Sequence, residues 1–191
     1  MSVPVRLAVL ASGSGSNAVA ILKHFQFSTD VEVAFVGCNH PSDKAAIYER
    51  TRPYGLETEF FSTQDLNEGQ LLNTLRERKI RWVALAGFLV RIPLDFVHAF
   101  ADRMLNVHPS LLPKFGGKGM FGMNVHKAVI EAGESESGMT VHWVNGQYDE
   151  GAIVFQAACA VNAEDSPEAL AARVLQLSLI HISEPTRHTD I

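Results

Sequence analysis

The sequence predicts a single α/β domain with a doubly wound, mostly parallel sheet and an antiparallel strand pair near the carboxyl-terminal side. Short apolar runs alternate with amphipathic segments over residues 5–107, which is the pattern of repeated β-α-β units. A glycine- and serine-rich turn, ASGSGSN at 11–17, separates the first apolar run from the first helical pattern. Two strand-like segments joined by a polar, glycine-containing turn follow later and suit antiparallel pairing.

Each element follows from its local pattern. Strands are expected where a short apolar run is bounded by turn residues. The predicted strands are 5–10, 31–38, 58–61, 82–87, 105–107, 138–144 and 152–160. Helices are expected where apolar residues recur every three or four positions. The predicted helices follow the turn at 11–17, cover 44–52 and 66–79, begin at Pro93, cover 125–132 and begin near Ser166.

Length and composition favour one globular domain, because 191 residues can bury one core but hardly two. The chain is 47% hydrophobic and 19% charged, and its net charge of −5 argues against a nucleic-acid partner, which needs a basic face. No apolar stretch reaches the length of a membrane span, and the first residues lack a signal-peptide pattern. Cys38 and Cys159 have no metal-like spacing, so we expect free thiols in a reducing, cytoplasmic compartment.

The turn GSGSNA at 13–18 fits the loose G-x-G-x-x-G/A pattern, and such a turn points backbone N–H groups at an anion. A dinucleotide site would also need an acidic residue after the second strand, where the chain has Cys38-Asn39-His40. A single phosphate, held by backbone amides and the hydroxyls of Ser14 and Ser16, therefore fits better. A tight turn without a ligand remains the alternative. The lysine of a Walker loop is absent, which argues against an NTPase.

Asn106 and His108 stand two positions apart at the end of the fifth predicted strand, so an extended backbone places both side chains on one face. Open α/β sheets bind their ligands at the carboxyl ends of strands. Asp149, in the glycine-flanked turn 146–151, is a candidate carboxylate to orient the imidazole and favour its protonated form. The residues alone leave open whether the three side chains meet. A structural role for His108 and a turn-forming role for Asp149 are the alternatives.

A set of motifs in fixed order carries a family resemblance. The motifs are SGSGSN at 12–17, LAGF at 85–88, NVHPSLLPKF at 106–115, GGKGM at 116–120, VHKAV at 125–129, TVHWV at 140–144 and DEG at 149–151. Over residues 5 to about 176 they resemble the phosphoribosylglycinamide formyltransferases, the folate-dependent enzymes of purine synthesis. HPSLLP with a downstream D-x-G is typical of the formyltransferase superfamily, and SGSGSN narrows the resemblance to this branch.

The resemblance implies a Rossmann-like formyltransferase fold and transfer of the formyl group of 10-formyltetrahydrofolate to the amine of 5'-phosphoribosylglycinamide, without a metal. Asn106 and protonated His108 would stabilise the oxyanion, and Asp149 would raise the pKa of His108. The substrate phosphate would lie on Gly13, Gly15, Ser16 and Asn17. The folate would lie against Leu89, Val90, Arg91, Ile92, Asn106, Asn145, Gly146, Gln147, Tyr148 and Asp149. Both implied partners are small molecules, with no nucleic acid and no membrane, and the oligomeric state is left open.

Two further histidines carry weaker expectations. His142, in the TVHWV strand, either supports the site from behind or is a core histidine. His126 is expected to be structural.

The spacing around Arg91 departs from that of many relatives, so its contact with folate is an open point of the resemblance.

Residues 177–191, LSLIHISEPTRHTDI, break the pattern of the last helix and resemble the translation of a sequencing-library adapter. We therefore expect residues 1–176 to form the catalytic domain and residues 177–191 to be a non-native tail. The family's last helix carries a glutamate that helps to hold the glycinamide substrate. The resemblance places that position near Ser178, inside the expected tail.

Four other functions compete with this interpretation. Methionyl-tRNA formyltransferase would need a further domain and a basic surface, and formyltetrahydrofolate deformylase normally has an extra amino-terminal domain before the first strand. A non-catalytic phosphate-binding module on the same sheet would leave Asn106, His108 and Asp149 without a role. A serine hydrolase is disfavoured because the G-x-S-x-G motif is absent.

Overall fold

A computed structural model describes residues 3–183. Its strands are β1 (Val5–Ala11), β2 (Val31–Cys38), β3 (Thr58–Phe60), β4 (Trp82–Leu85), β5 (Met104–His108), β6 (Glu136–Trp143) and β7 (Ile153–Ala160). Its α-helices are α1 (Ser16–Phe25), α2 (Ile47–Thr51), α3 (Thr63–Asn67), α4 (Gln70–Glu77), α5 (Leu94–Ala99), α6 (Met123–Glu131) and α7 (Pro167–Ser183). A short 3-10 helix, Arg52–Tyr54, follows α2.

The seven strands form one sheet in the order β3-β2-β1-β4-β5-β6-β7. Strands β1 to β5 pair in parallel, whereas β6 runs antiparallel to both β5 and β7. The predicted fold class, a doubly wound and mostly parallel sheet with an antiparallel pair near the carboxyl-terminal side, is confirmed. Among residues 3–183, no helix combines the length and the apolar character needed to cross a membrane.

Helices cover both faces of the sheet because consecutive strand residues point to opposite sides. On β1, Ala8 and Leu10 pack into the core that α4 and α5 help to form, while Val9 and Ala11 pack into the core beneath α1 and α2. A third core joins α6 and α7 to β6 and β7. The near-continuous apolar character of the parallel strands follows from this burial on both faces.

The strand order reverses between β1 and β4, which places a crevice at their carboxyl ends. Ser12 joins the two loops that leave this edge. Its backbone N–H donates to the Gly87 carbonyl at 3.0 Å, and its hydroxyl accepts from the Leu89 N–H at 2.9 Å. The loop after β1 and the loop after β4 are therefore held side by side at the crevice.

Two predicted helices differ from the observed ones. The predicted helix 66–79 is divided into α3 and α4 because Gly69 adopts a positive φ of 80° between them. The predicted helix 44–52 is shortened to α2 and the 3-10 helix, since Pro53 cannot donate to an α-helical hydrogen bond. Helix α7 begins at Pro167, as predicted, and its backbone continues to Ser183.

The expected non-native tail, residues 177–191, falls largely outside this description. Residues 184–191 are not described, and neither is the side chain of Ser178, the position at which the resemblance places a substrate-holding glutamate. The expectation stays a prediction, which resequencing of the source locus would check.

Replacement of Phe96 by alanine should destabilise the fold. Phe96 lies on α5, is 1% exposed and packs beside Phe100. Loss of such a buried ring should lower the free energy of unfolding by about 3–5 kcal/mol, measured by urea denaturation. The same change at Phe27, which is 88% exposed, should shift it by less than about 0.5 kcal/mol. Equal effects at the two positions would contradict the packing described.

Candidate functional site

A cavity of about 760 Å³ lies at the carboxyl ends of β1, β4 and β5. Every residue that was predicted for the site lines it. These residues are Gly13, Gly15, Ser16 and Asn17 after β1, Leu89, Val90, Arg91 and Ile92 after β4, Asn106 and His108 on β5, and Asn145, Gly146, Gln147, Tyr148 and Asp149 before β7. The structure thus brings four distant parts of the chain to one place. Their individual roles toward a ligand stay predictions.

Strands β5 and β6 position the polar side chains on the cavity floor. Asn106 and His108 point to the same side of β5, as the spacing predicted. In the antiparallel pairing, His142 of β6 lies directly opposite Asn106, and Thr140 lies opposite His108. Directly opposed residues on one face are close neighbours. His142 therefore belongs to the same cluster as the two predicted residues.

Asp149 completes the cluster from the turn between β6 and β7. Its φ of 56° is in the left-handed region, which aspartate tolerates better than most residues. One carboxylate oxygen, Oδ2, accepts the Gly117 N–H at 2.9 Å and lies 3.5 Å from His108 Nδ1. The other, Oδ1, lies 3.5 Å from the Asn106 amide nitrogen and 3.6 Å from His142 Nε2. The predicted meeting of Asn106, His108 and Asp149 is present in the structure.

Both ring nitrogens of His108 face acceptors. Nε2 lies 2.8 Å from the Phe115 carbonyl oxygen, so this nitrogen carries a proton and donates it. Nδ1 then faces the Asp149 carboxylate, and protonation of Nδ1 would turn this contact into an ion pair. His108 is 4% exposed. The geometry therefore favours the imidazolium, whereas burial opposes it.

The balance at His108 goes against the charged form. Burial lowers the pKa of His108 below its ordinary value of 6.5, and the nearby His142 acts in the same direction. The Asp149 charge and the Phe115 carbonyl raise this pKa without reversing the shift. The predicted influence of Asp149, which raises this pKa, is thus present, but burial outweighs it, so the pKa of His108 lies below its ordinary value. At neutral pH this imidazole is uncharged.

Asp149 remains ionised in the same surroundings. Burial alone would raise the pKa of its carboxyl group, but the contacts with His142 and His108 and the hydrogen bond from the Gly117 N–H outweigh it. The pKa of Asp149 therefore lies below its ordinary value of 3.8. An ionised carboxylate beside a neutral imidazole is a proton-accepting pair.

Asn106 and His142 form a second contact within the cluster. The Nδ1 atom of His142 lies 2.9 Å from the Trp143 carbonyl oxygen, so Nδ1 carries a proton and donates it. Nε2 is then an acceptor, and the Asn106 amide donates to it at 3.0 Å. The remaining amide N–H of Asn106 faces Asp149 at the longer distance of 3.5 Å. That N–H is the one more readily given to a ligand.

The glycine-rich loop after β1 is fixed by α2. Gly15 has a φ of 72°, and a Cβ atom there would overlap the Ile47 side chain. The hydroxyls of Ser14 and Ser16 lie 3.3 Å apart, and α1 begins at Ser16. The loop thus presents hydroxyls and a helix amino terminus to the cavity, an arrangement suited to an anion.

The loop after β4 is joined to the Asp149 turn by Arg91. Its guanidinium donates to the Gly146 carbonyl at 3.0 Å and lies 5.7 Å from the centre of the Tyr148 ring. Within the turn, the Asn145 side chain accepts the Gln147 N–H at 2.9 Å. Leu89 and Tyr148 expose apolar surface at this end of the cavity. A flat, partly apolar ligand fits such a wall.

Sequence reasoning missed or underestimated several contributors. His126, expected to be structural, lines the cavity, is 5% exposed and has a buried Nδ1 with no hydrogen-bond partner among the described residues. Burial and the nearby His108 lower the pKa of His126. The Phe115 carbonyl and the Gly117 N–H are backbone groups that no residue pattern identifies. Among residues 3–183 no cluster of histidine, cysteine and acidic side chains is arranged to hold a metal ion.

Comparisons with known proteins agree with this architecture. Residues 5–184 match the family model described as formyl transferase. The chain is 42% identical over 177 residues to the chloroplastic phosphoribosylglycinamide formyltransferase of Arabidopsis thaliana, covering 89% of this chain and 60% of that relative. It therefore spans less than two thirds of that plant protein's length.

Two solved structures are similar over nearly the whole chain. The phosphoribosylglycinamide formyltransferase from Anaplasma phagocytophilum gives a TM-score of 0.84 at 34% identity, covering 94% of this chain and 84% of that one. The glycinamide ribonucleotide transformylase 1 from Geobacillus kaustophilus gives a TM-score of 0.83 at 33% identity, covering 94% and 95%.

Replacement of Asp149 by asparagine should lower the pKa of His108 further. The change removes the carboxylate charge that raises this pKa, whereas burial, which lowers it, remains. Titration of the His108 ring protons by NMR measures the shift. Replacement of Asp65, whose carboxylate caps α3 through Ser62, should leave the His108 titration unchanged. An unchanged or higher pKa of His108 in the Asp149→Asn protein would contradict the described electrostatics.

Proposed function

The chain belongs to the formyl transferase family, and from this membership and the geometry of the cavity we propose that it formylates the amine of 5'-phosphoribosylglycinamide, using 10-formyltetrahydrofolate as the donor. The proposed product is the formylglycinamide ribonucleotide of purine synthesis. We assign the activity to residues 1–176. The relatives whose names carry this activity support the proposal.

The observation that carries the proposal is the convergence of Asn106, His108 and Asp149 at the floor of a cavity whose far wall is the glycine-rich loop. A phosphate on that loop would leave the rest of a small nucleotide directed into the cavity. Acyl transfer needs a proton acceptor, a proton donor and a group that stabilises an oxyanion. The three side chains can supply these functions together.

His108 and Asp149 would handle the proton. The attacking amine enters as an ammonium ion and must lose a proton to become a nucleophile. Neutral His108 beside ionised Asp149 can accept that proton at Nδ1, where the carboxylate stabilises it. The imidazolium can then donate to the departing nitrogen. The ammonium ion loses two protons in all when it becomes the amide, so that one reaches the donor's nitrogen and the other is released to solvent. His108 acts in turn as base and acid.

Asn106 would stabilise the negative charge on the formyl oxygen. Its amide donates one N–H to His142, which fixes the orientation of the amide plane. The second N–H makes only the 3.5 Å contact with Asp149, so it is available to donate to the formyl oxygen. A preoriented donor of this kind stabilises an oxyanion with little reorganisation.

The donor would bring an activated formyl group. The residues expected to hold it fit a flat ligand with polar edges, because Leu89, Val90 and Ile92 offer apolar surface and the backbone of the 145–149 turn offers hydrogen-bonding groups. Arg91 already holds that turn through Gly146. We propose that Arg91 shapes this wall.

A direct assay separates the competing functions. Purified protein is mixed with 10-formyltetrahydrofolate, and the folate absorbance is followed with and without the ribonucleotide. Turnover that requires the ribonucleotide supports the proposal. Turnover without the amine would indicate a deformylase, and ligand binding without turnover in a folded protein would indicate a binding module.

Replacement of His108 by alanine should lower kcat by at least about 100-fold, because acid–base catalysis and a positive charge near the oxyanion are lost together. Replacement of His98, an exposed histidine at the end of α5, provides the control and should leave kcat unchanged. Circular dichroism verifies that both proteins are folded. A near-normal rate for His108→Ala would refute the assigned role.

A further inference from the structure

Arg50 contacts the glycine-rich loop from α2 and is not among the residues that line the cavity. It lies near the end of α2, and its Nη1 atom donates to the Ser16 hydroxyl at 3.0 Å and to the Ser14 carbonyl at 3.2 Å. Helix α2 is fixed against the loop by the Ile47 N–H, which donates to the Gly13 carbonyl at 3.3 Å. A cation is thus held against a loop whose own sequence lacks the lysine of a Walker motif.

The hydrogen bond to Ser16 has a direct chemical consequence. A hydroxyl has one proton to donate and two lone pairs to accept with. Because the Ser16 oxygen accepts from Arg50, its own proton can be donated either to the Ser14 oxygen, 3.3 Å away, or to an acceptor in the cavity that Ser16 lines. A phosphate oxygen is a strong acceptor of that kind, and the guanidinium charge strengthens the donation.

The charges around the cavity make such a cation useful. The protein has a net charge of −5, and the floor of the cavity holds the Asp149 carboxylate. Arg91, which also lines the cavity, is bound to the Gly146 carbonyl at the opposite loop. Lys118, in the loop after β5, is a further cation that lines the cavity. The glycine-rich loop itself offers a phosphate dianion only hydroxyls and one helix amino terminus, which carry partial charges.

We propose that Arg50 is a positioning residue for the substrate's phosphate, acting through Ser16 to make the site selective for phosphorylated over unphosphorylated glycinamide ribosides. The inference rests on the proposed function for the identity of the substrate. Arg50 does not line the cavity itself, so its effect is transmitted by the oriented hydroxyl and by its charge. Arg52, two positions further on, is exposed and paired with Glu49, and within residues 3–183 its side chain makes no hydrogen bond to the glycine-rich loop.

The test compares Arg50→Ala, Arg50→Lys and the control Arg52→Ala in steady-state kinetics. Arg50→Ala should raise KM for the ribonucleotide by about 10-fold or more, the loss expected when a charged group no longer supports a phosphate contact. The KM for the folate donor should not change. Arg50→Lys should recover part of the loss, and Arg52→Ala should behave as the unchanged protein.

Glycinamide riboside, which lacks the phosphate, distinguishes recognition from structural support. Arg50→Ala should leave kcat/KM for the riboside unchanged, and adding Ser16→Ala should cause little further loss with the ribonucleotide, because both residues act on one contact. An unchanged KM for the ribonucleotide would overturn the inference. An equal loss with both substrates would also overturn it, since Arg50 would then only support the loop.

Direct titration with inorganic phosphate separates this inference from the proposed reaction. If the unchanged protein transfers no formyl group, weaker phosphate binding by Arg50→Ala than by Arg52→Ala would still support the role of Arg50. Equal phosphate binding by the two variants would overturn it.

Discussion

The Asp149 carboxylate stays ionised although only 12% of its side chain is exposed, and the rest of the site depends on the contacts that allow this. An unpartnered buried carboxylate would take up a proton instead. Here the Gly117 N–H, the two histidines and the Asn106 amide share its two oxygens. Because these partners come from β5, β6 and the loop after β5, the Asp149 carboxylate connects these three parts of the fold to the 146–151 turn.

The change from parallel to antiparallel pairing at β5–β6 is what makes this cluster possible. It places His142 opposite Asn106 and Thr140 opposite His108. The buried Thr140 hydroxyl donates to the Ser110 carbonyl at 2.6 Å and accepts the Leu112 N–H at 3.1 Å. The loop after β5 is therefore pinned to β6 at its start. Further along this loop, the Phe115 carbonyl and the Gly117 N–H are thereby held in place against His108 and Asp149.

The parts that depend on local pattern could be predicted from the sequence. Strand periodicity, the glycine-rich turn and the Asn106/His108 spacing depend on neighbours within a few positions, and the structure agrees with them. The direction in which the pKa of His108 shifts could not be predicted. It depends on the balance between burial, which the whole fold determines, and the charge of Asp149, which comes from a distant turn. The position of His142 beside Asn106 follows from the β5–β6 register, which no local pattern identifies.

The cavity has opposite electrical characters at its two ends, which a net charge cannot reveal. Hydroxyls, a helix amino terminus and the nearby Arg50 guanidinium make the loop end attractive to anions, while Asp149 makes the floor attractive to cations. A molecule with a phosphate at one end and an ammonium group at the other matches this arrangement in one orientation. Neutral His108 strengthens the match, since a charged imidazole on the floor would repel the ammonium group that has to approach it. The lowered pKa of His108, which opposes the expectation from Asp149 alone, is therefore consistent with the proposed reaction, in which the site receives an ammonium group and removes its proton.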